Sequence, residues 1–238
     1  MTEFKGKEKV EKVVFDGKEI PADVVILAIG VAPAIELAQT SGIKADRQGI
    51  EVDEYFRTSA EGIYAIGDAI KTISPVTGDS FPGRLGSNAA LEARMLAANL
   101  FGRGRPFPGV VNPSGTKVFD LSFGMVGLTE RYAREKGINC IVGRASSTSI
   151  YSMLQGAKPV EGKLIFKEDD LTVIGAQLYG DINLVGLIDL VGQAILRKFT
   201  LYDMLDLIHT TQPELSPEPA VNILPRCAED VWKRIIGG

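Results

Sequence analysis

The stretch TSAEGIYAIGD, Thr58 to Asp68, holds the residues best suited to chemistry. Its apolar run from Ile63 to Ile66 reads as a short strand that stops on Gly67–Asp68. Gly and Asp are favoured turn residues, so a plain turn satisfies the pattern. A ligand site at the strand's carboxyl end satisfies it too. There glycine admits close approach of the backbone, and an ionised carboxylate accepts strong hydrogen bonds from hydroxyls. Other reactive side chains are sparse. Cys140 and Cys227 lack C-x-x-C spacing, which leaves no metal or redox motif. His209 is the single histidine, too little for a zinc site or a histidine-based triad.

The elements that must position Asp68 can be read on either side of it. DG at Asp16–Gly17, flanked by VEKVVF and KEI, signals a hairpin. The run Val24–Ile29 is continuously apolar, as expected of a strand buried on both faces of a parallel sheet. Residues from Ala32 read as a short helix closed near Gly42, and GIEVDEYFRTS reads as extended. SNAALEARMLAANLFG reads as an amphipathic helix, capped by Ser87 and ended by Gly102. RGRPFPGVVNPSG is rich in Pro and Gly and reads as a linker, with a boundary near Gly104–Gly109.

Beyond the linker the texture changes. TKVFDLSFGMVG reads as one strand, LTERYAREKG as a short helix capped by Thr129, and INCIVGRASSTS as a strand. Two further strands join at Glu168–Leu171. Helices follow with Asn183 and Thr200 as their caps, and a last one over RCAEDVWKRII. Strands followed by grouped helices predict an α+β unit with its helices on one side of an antiparallel sheet.

The bulk numbers narrow the function classes. A net charge of −4 with no long basic run argues against a nucleic-acid surface. The longest apolar stretch, Val24 to Ala32, is too short to span a bilayer. The charged amino terminus has no apolar signal core, and two distant cysteines fit a reducing compartment. The expectation is a cytoplasmic protein with neither nucleic-acid nor membrane partners.

Three landmarks stand in one order: ADVVILAIGVAP, TSAEGIYAIGD and GTKVFDLSFGMVGLTERYAREKG. That order resembles the carboxyl-terminal half of the flavin- and pyridine-nucleotide-dependent disulfide oxidoreductases. The match is to the branch of NADH oxidases, NADH peroxidases and coenzyme A-disulfide reductases, and it covers nearly the whole chain. It implies α/β plus α+β architecture: a partial Rossmann-like FAD/NAD(P)-binding segment followed by a dimerisation domain. The implied limits are residues 1–30 for the last strands of the NAD(P) domain, 31–104 for part of the FAD domain and 110–238 for dimerisation.

The resemblance assigns sites. It gives Asp68, with Gly67 making room, a ribityl hydroxyl of FAD. It lays Leu85, Gly86, Ser87 and Asn88 against the flavin ring, where a helix N-terminus stabilises negative charge. It places Gly30 at the crossover near the nicotinamide. The cofactors implied are FAD and NAD(P)H, and the partner implied is a second copy of the chain.

Departures from the family pattern matter as much. No G-x-G-x-x-G fingerprint occurs in the chain, and neither cysteine stands in the family's redox context. In place of the H-P dipeptide of the dithiol reductases stands Gln212–Pro213, and glutamine cannot exchange a proton near neutral pH. No catalytic or metal-ligating residue is therefore assigned. The expectation is a segment of an FAD-dependent oxidoreductase that supplies part of the FAD site and the dimer interface, and is inactive alone. The alternatives are a non-catalytic dimerisation module, or a split subunit completed by a separate chain carrying the fingerprint and redox cysteine. The helix NLVGLIDLVGQAIL is apolar nearly all round, which predicts burial against a partner.

Overall fold

The computed structural model describes residues 3–237, which divide into two compact units, one ending at Ala32 and one starting at Pro33. The first unit is an antiparallel sheet of β1 (Glu3–Lys5), β2 (Lys12–Phe15) and β3 (Lys18–Pro21), in that order. The expected hairpin forms at Asp16–Gly17, where φ is 49° and 73°. Positive φ at both central residues is what a two-residue type I′ turn needs. The expected strand Val24–Ile29 does not form. Its residues lie outside any sheet and all but the half-buried Val25 are exposed, with Ile26 85% accessible. A parallel strand needs hydrogen-bonded neighbours and covered faces, and among the described residues this unit offers only its small antiparallel sheet.

The second unit begins with α1 (Glu36–Thr40) and the short pair β4 (Ala45–Asp46) and β5 (Gly49–Ile50). The segment Ile63–Ile66 is extended but is not a ladder strand. It makes one antiparallel bridge, Arg57 to Tyr64, and passes into a 3-10 turn at Gly67–Ala69. Helix α2 (Gly86–Leu100) follows. The Pro/Gly-rich stretch after it runs close along the unit. Phe107 N–H donates to Glu54 C=O, Val110 N–H to Ile73 C=O, and Gly127 N–H to Val111 C=O.

The rest is a five-stranded antiparallel sheet. The expected strand over TKVFDLSFGMVG is two strands, β6 (Ser114–Val118) and β7 (Leu121–Gly127), because Phe119 adopts φ 54° and reverses the chain. Then come α3 (Glu130–Glu135), β8 (Cys140–Thr148), β9 (Pro159–Lys167), β10 (Val173–Gly180), α4 (Val185–Leu196), α5 (Leu201–Leu205) and α6 (Ile223–Ile236). The spatial order is β6-β7-β10-β9-β8.

Side-chain caps start α3, α5 and α6. Thr129 accepts from Tyr132 N–H, Thr200 and Asp203 form a reciprocal capping box, and Asn222 accepts from Leu224 N–H. One sheet face packs on α4, α5 and α6, burying Leu164, Phe166, Ala176, Leu178, Ile188 and Val191. A Cβ on Gly143 would lie 1.8 Å from Cys227 C=O, so only glycine lets α6 lie this close to β8. Helix α3 departs from the one-sided expectation. It covers one end of the opposite face, with Leu128, Ala133, Ile165 and Ile174 buried there. Strand alternation sends Ile165 and Leu164 to opposite faces, which gives α3 its own small core.

Candidate functional site

Thr58 begins the motif and closes it locally. Its N–H and its hydroxyl both donate to Ile63 C=O, and the hydroxyl also reaches Ala60 C=O at 3.3 Å. Ala65 N–H then donates to the carbonyl of Phe56, a fully buried ring packed against Phe107. The chain is thus pinned on both sides before it reaches Gly67. Ile66 is extended, and Gly67 turns to φ 73°, a left-handed conformation that favours glycine. A Cβ at Gly67 would lie 3.5 Å from the Ala89 side chain of α2, in ordinary contact, so the positive φ rather than space favours glycine here. Asp68 follows in the 3-10 turn and is exposed. An exposed carboxylate beyond a glycine turn can accept hydrogen bonds from a hydroxyl-bearing ligand.

Helix α2 frames this turn. Its N-cap is Leu85, whose side chain offers no capping bond, and Ser87 is the second helical residue rather than the expected cap. The amides of the first turn, Gly86, Ser87 and Asn88, therefore have no N-cap side chain to satisfy them, and a helix end of this kind favours negative charge. The Arg84 guanidinium just before it donates through Nη2 to Gln48 C=O at 2.8 Å. Gly86 and Ser87 are exposed, and Leu85 is half-buried.

The buried residues of α2 are polar. Asn88 is 7% exposed and Glu92 1%, against the apolar inner face that an amphipathic helix predicts. Asn88 Nδ2 donates to Gly83 C=O and to Asn112 Oδ1, both at 2.9 Å. Asn112 Nδ2 in turn donates to Pro82 C=O. Glu92 Oε2 accepts the Gly67 N–H at 2.6 Å. Burial holds the Glu92 carboxyl above the usual carboxylate range. The Gly67 hydrogen bond opposes that shift and the Asp68 charge adds to it.

The structure brings Gly67, Asp68 and α2 together, as 3-10 turn against helix. Gly30 lies in the first unit with φ 83°, and among the described residues no atom beyond its chain neighbours would meet a Cβ there. Glu92 and Asn112 were not singled out in the sequence. The one available signal was Glu92's place four residues after Asn88, on the same stripe of a helix.

His209 has Nδ1 3.1 Å from Leu207 C=O and Nε2 3.2 Å from Pro219 C=O. Cys227 is fully buried, which pushes its thiol up to about 12. Among the described residues no group of three His, Cys, Asp or Glu is placed to hold a metal. No helix of the described residues is long and apolar enough to cross a membrane.

Known proteins resemble this chain in sequence and in fold. Residues 1–85 match the family model for pyridine nucleotide-disulphide oxidoreductases, and residues 113–222 match that family's dimerisation domain. The NADH oxidase of Methanocaldococcus jannaschii is 36% identical over 97% of this chain and 51% of its own length. The coenzyme A-dependent NAD(P)H sulfur oxidoreductase of Pyrococcus furiosus is 31% identical over 90% of this chain and 48% of its own. A solved NAD-dependent persulfide reductase from A. fulgidus superposes with a TM-score of 0.88 at 34% identity, over 97% of this chain and 43% of that one. The chain spans about half the length of the curated relatives it matches. Two models of one family cover most of its residues, and the chain belongs to the pyridine nucleotide-disulphide oxidoreductases.

Proposed function

We propose that this chain forms the carboxyl-side half of an FAD-dependent NAD(P)H oxidoreductase, supplying part of the flavin cradle and the surface through which two copies join. The observation that carries the reading is the Gly67–Asp68 turn held against α2, with an exposed carboxylate and an uncapped helix end on neighbouring elements. The residues fit the group. Asp68 would accept from a ribityl hydroxyl, and the amides of Gly86 and Ser87, with Leu85 beside them, would face the ring. Asn88 supports that face from behind, since both its amide hydrogens go to the chain itself. Gly30 is the candidate for close backbone passage at the nicotinamide.

FAD, where bound, supplies two-electron redox chemistry fed by NAD(P)H, and the relatives carry the names NADH oxidase and NAD(P)H sulfur oxidoreductase. This chain's own residues bind and orient, and the Asp68 carboxylate holds a hydroxyl proton at its oxygen. With no G-x-G-x-x-G in its sequence, the chain alone is expected to lose FAD on dialysis and to show no NADH turnover.

Homodimerisation is supported by an open part of the sheet face opposite α4. Phe123 and Tyr179 stack there at 6.1 Å with Met125 on the same face, all at least a third exposed. A chimera tests the reading by joining this chain to the amino-terminal half of the M. jannaschii NADH oxidase. It should purify yellow and consume NADH; a folded, colourless chimera would refute the flavin assignment.

A further inference from the structure

The inward stripe of α2 carries two polar side chains one helical turn apart, Asn88 and Glu92, and they grip the two loops that carry the candidate site. Asn88 holds the loop leading into α2 through Gly83 C=O, and Glu92 holds the Gly67 amide. Ala89 beside them faces the Gly67 turn, a small side chain where turn and helix meet. A fully buried carboxylate is an unusual choice for packing, because burying it without partners is costly. An apolar residue would fill the same space but leave the Gly67 N–H without an acceptor.

We propose that Glu92 is a positioning residue: its carboxylate oxygen clamps the Gly67 amide and so fixes the direction in which Asp68 leaves the turn. The clamp acts at the one backbone position whose left-handed φ determines the path into Asp68. The neighbouring constraints pin other atoms: Thr58 closes the loop over residues 58–63, and Ala65 N–H is taken by Phe56. With the clamp removed, Gly67 is free to visit other φ values, as glycine readily does, and Asp68 loses its fixed aim. The identity of Asp68's ligand, a hydroxylated chain such as the ribityl of FAD, rests on the flavin reading. The clamp itself does not.

The test is amide exchange and NMR on the chain itself, comparing wild type with Glu92→Gln and Glu92→Met. Methionine keeps the bulk and removes the acceptor, whereas glutamine keeps an acceptor oxygen and removes the charge. In Glu92→Met the Gly67 amide should exchange about tenfold or more faster and move upfield, while the amides of β7, β9 and β10 stay unchanged. Glu92→Gln should restore most of the protection. Wild-type protection in Glu92→Met, or no rescue by Glu92→Gln, would overturn the proposal. Should Glu92→Met fail to fold, the wild-type chain decides. Its Gly67 amide shift should titrate with the Glu92 carboxyl carbon, and a shift that follows only the Asp68 carboxyl would overturn the clamp. The colour of the chimera judges the flavin reading separately, so the two failures are distinguishable.

Discussion

Asn88 Nδ2 donates to Asn112 Oδ1 at 2.9 Å, joining the helix beside the candidate site to the segment that enters the antiparallel sheet. Asn112 also donates to Pro82 C=O and adopts φ 50°, a region that asparagine tolerates better than most residues. Asn112→Ala removes both side-chain bonds and strains the backbone. It should destabilise the protein by about 1–3 kcal/mol in urea unfolding. A midpoint unchanged from wild type would show that the link carries no stability.

Glu92 and Glu130 should give opposite pH responses. Burial raises Glu92 above its ordinary 4.5, so its favourable neutral form is lost as pH climbs from 4.5 through the folded value. Stability from this group therefore falls with rising pH. Lys163, first among the causes, lowers Glu130 by a hydrogen-bonded ion pair at 2.8 Å, with Arg134 and Arg144 adding charge. Its contribution is present above 4.5 and lost as pH falls through the folded value. Urea unfolding between pH 4 and 8 should show the stability of Glu92→Gln relative to wild type improving with pH. Glu130→Gln should instead lose about 0.5–1 kcal/mol near neutrality, with the loss shrinking as pH falls below 4.5. Parallel pH profiles for both variants would contradict these assignments.

The fold was legible where local chemistry decides it. The turn at Asp16–Gly17, the caps at Thr129 and Thr200 and the strands from Cys140 to Gly180 are all short-range patterns, and all form. Misread elements depended on partners. Val24–Ile29 has strand composition but no neighbouring ladder, and Ile63–Ile66 is held by one bridge and a helix rather than by a sheet. Phe119, the residue that takes the left-handed turn, is not of the Gly or Asn kind, so the β6–β7 hairpin was read as one strand. At the site, Gly67 and Asp68 could be read because Gly–Asp is a local signature. Glu92 lies 25 residues from Gly67, and no short-range pattern pairs them.

Cys227 should be chemically silent in the folded protein. Its thiol is fully buried and pushed up to about 12, so little thiolate exists near neutral pH. Timed alkylation followed by peptide mapping should label Cys140, which is half-buried, well before Cys227. Equal labelling of both in native buffer would show that α6 opens readily.

Helix α4 covers less partner surface than its sequence suggests. Leu184, Ile188, Val191 and Ile195 are buried within the chain's own core, leaving Val185 and Leu190 outward. The proposed dimer is therefore expected to use the open sheet face around Phe123, Met125 and Tyr179. Tyr179→Glu should halve the mass seen by light scattering and leave the far-UV spectrum unchanged, because a charge in the centre of an interface of about 2,000 Å² is strongly unfavourable. A wild-type chain that is already monomeric, or a dimer indifferent to Tyr179→Glu, would contradict this.

Asp68 carries the central claim, and the direct measurement is FAD retention by the chimera with and without Asp68→Ala. Losing a charge-assisted hydrogen bond of this kind is worth about 1.5–3 kcal/mol, or about ten- to a hundredfold in FAD dissociation constant by fluorescence titration. The account predicts a yellow wild-type chimera and an Asp68→Ala chimera that folds, sediments normally and releases its flavin on dialysis. An Asp68→Ala chimera that binds FAD as tightly as its parent would contradict it.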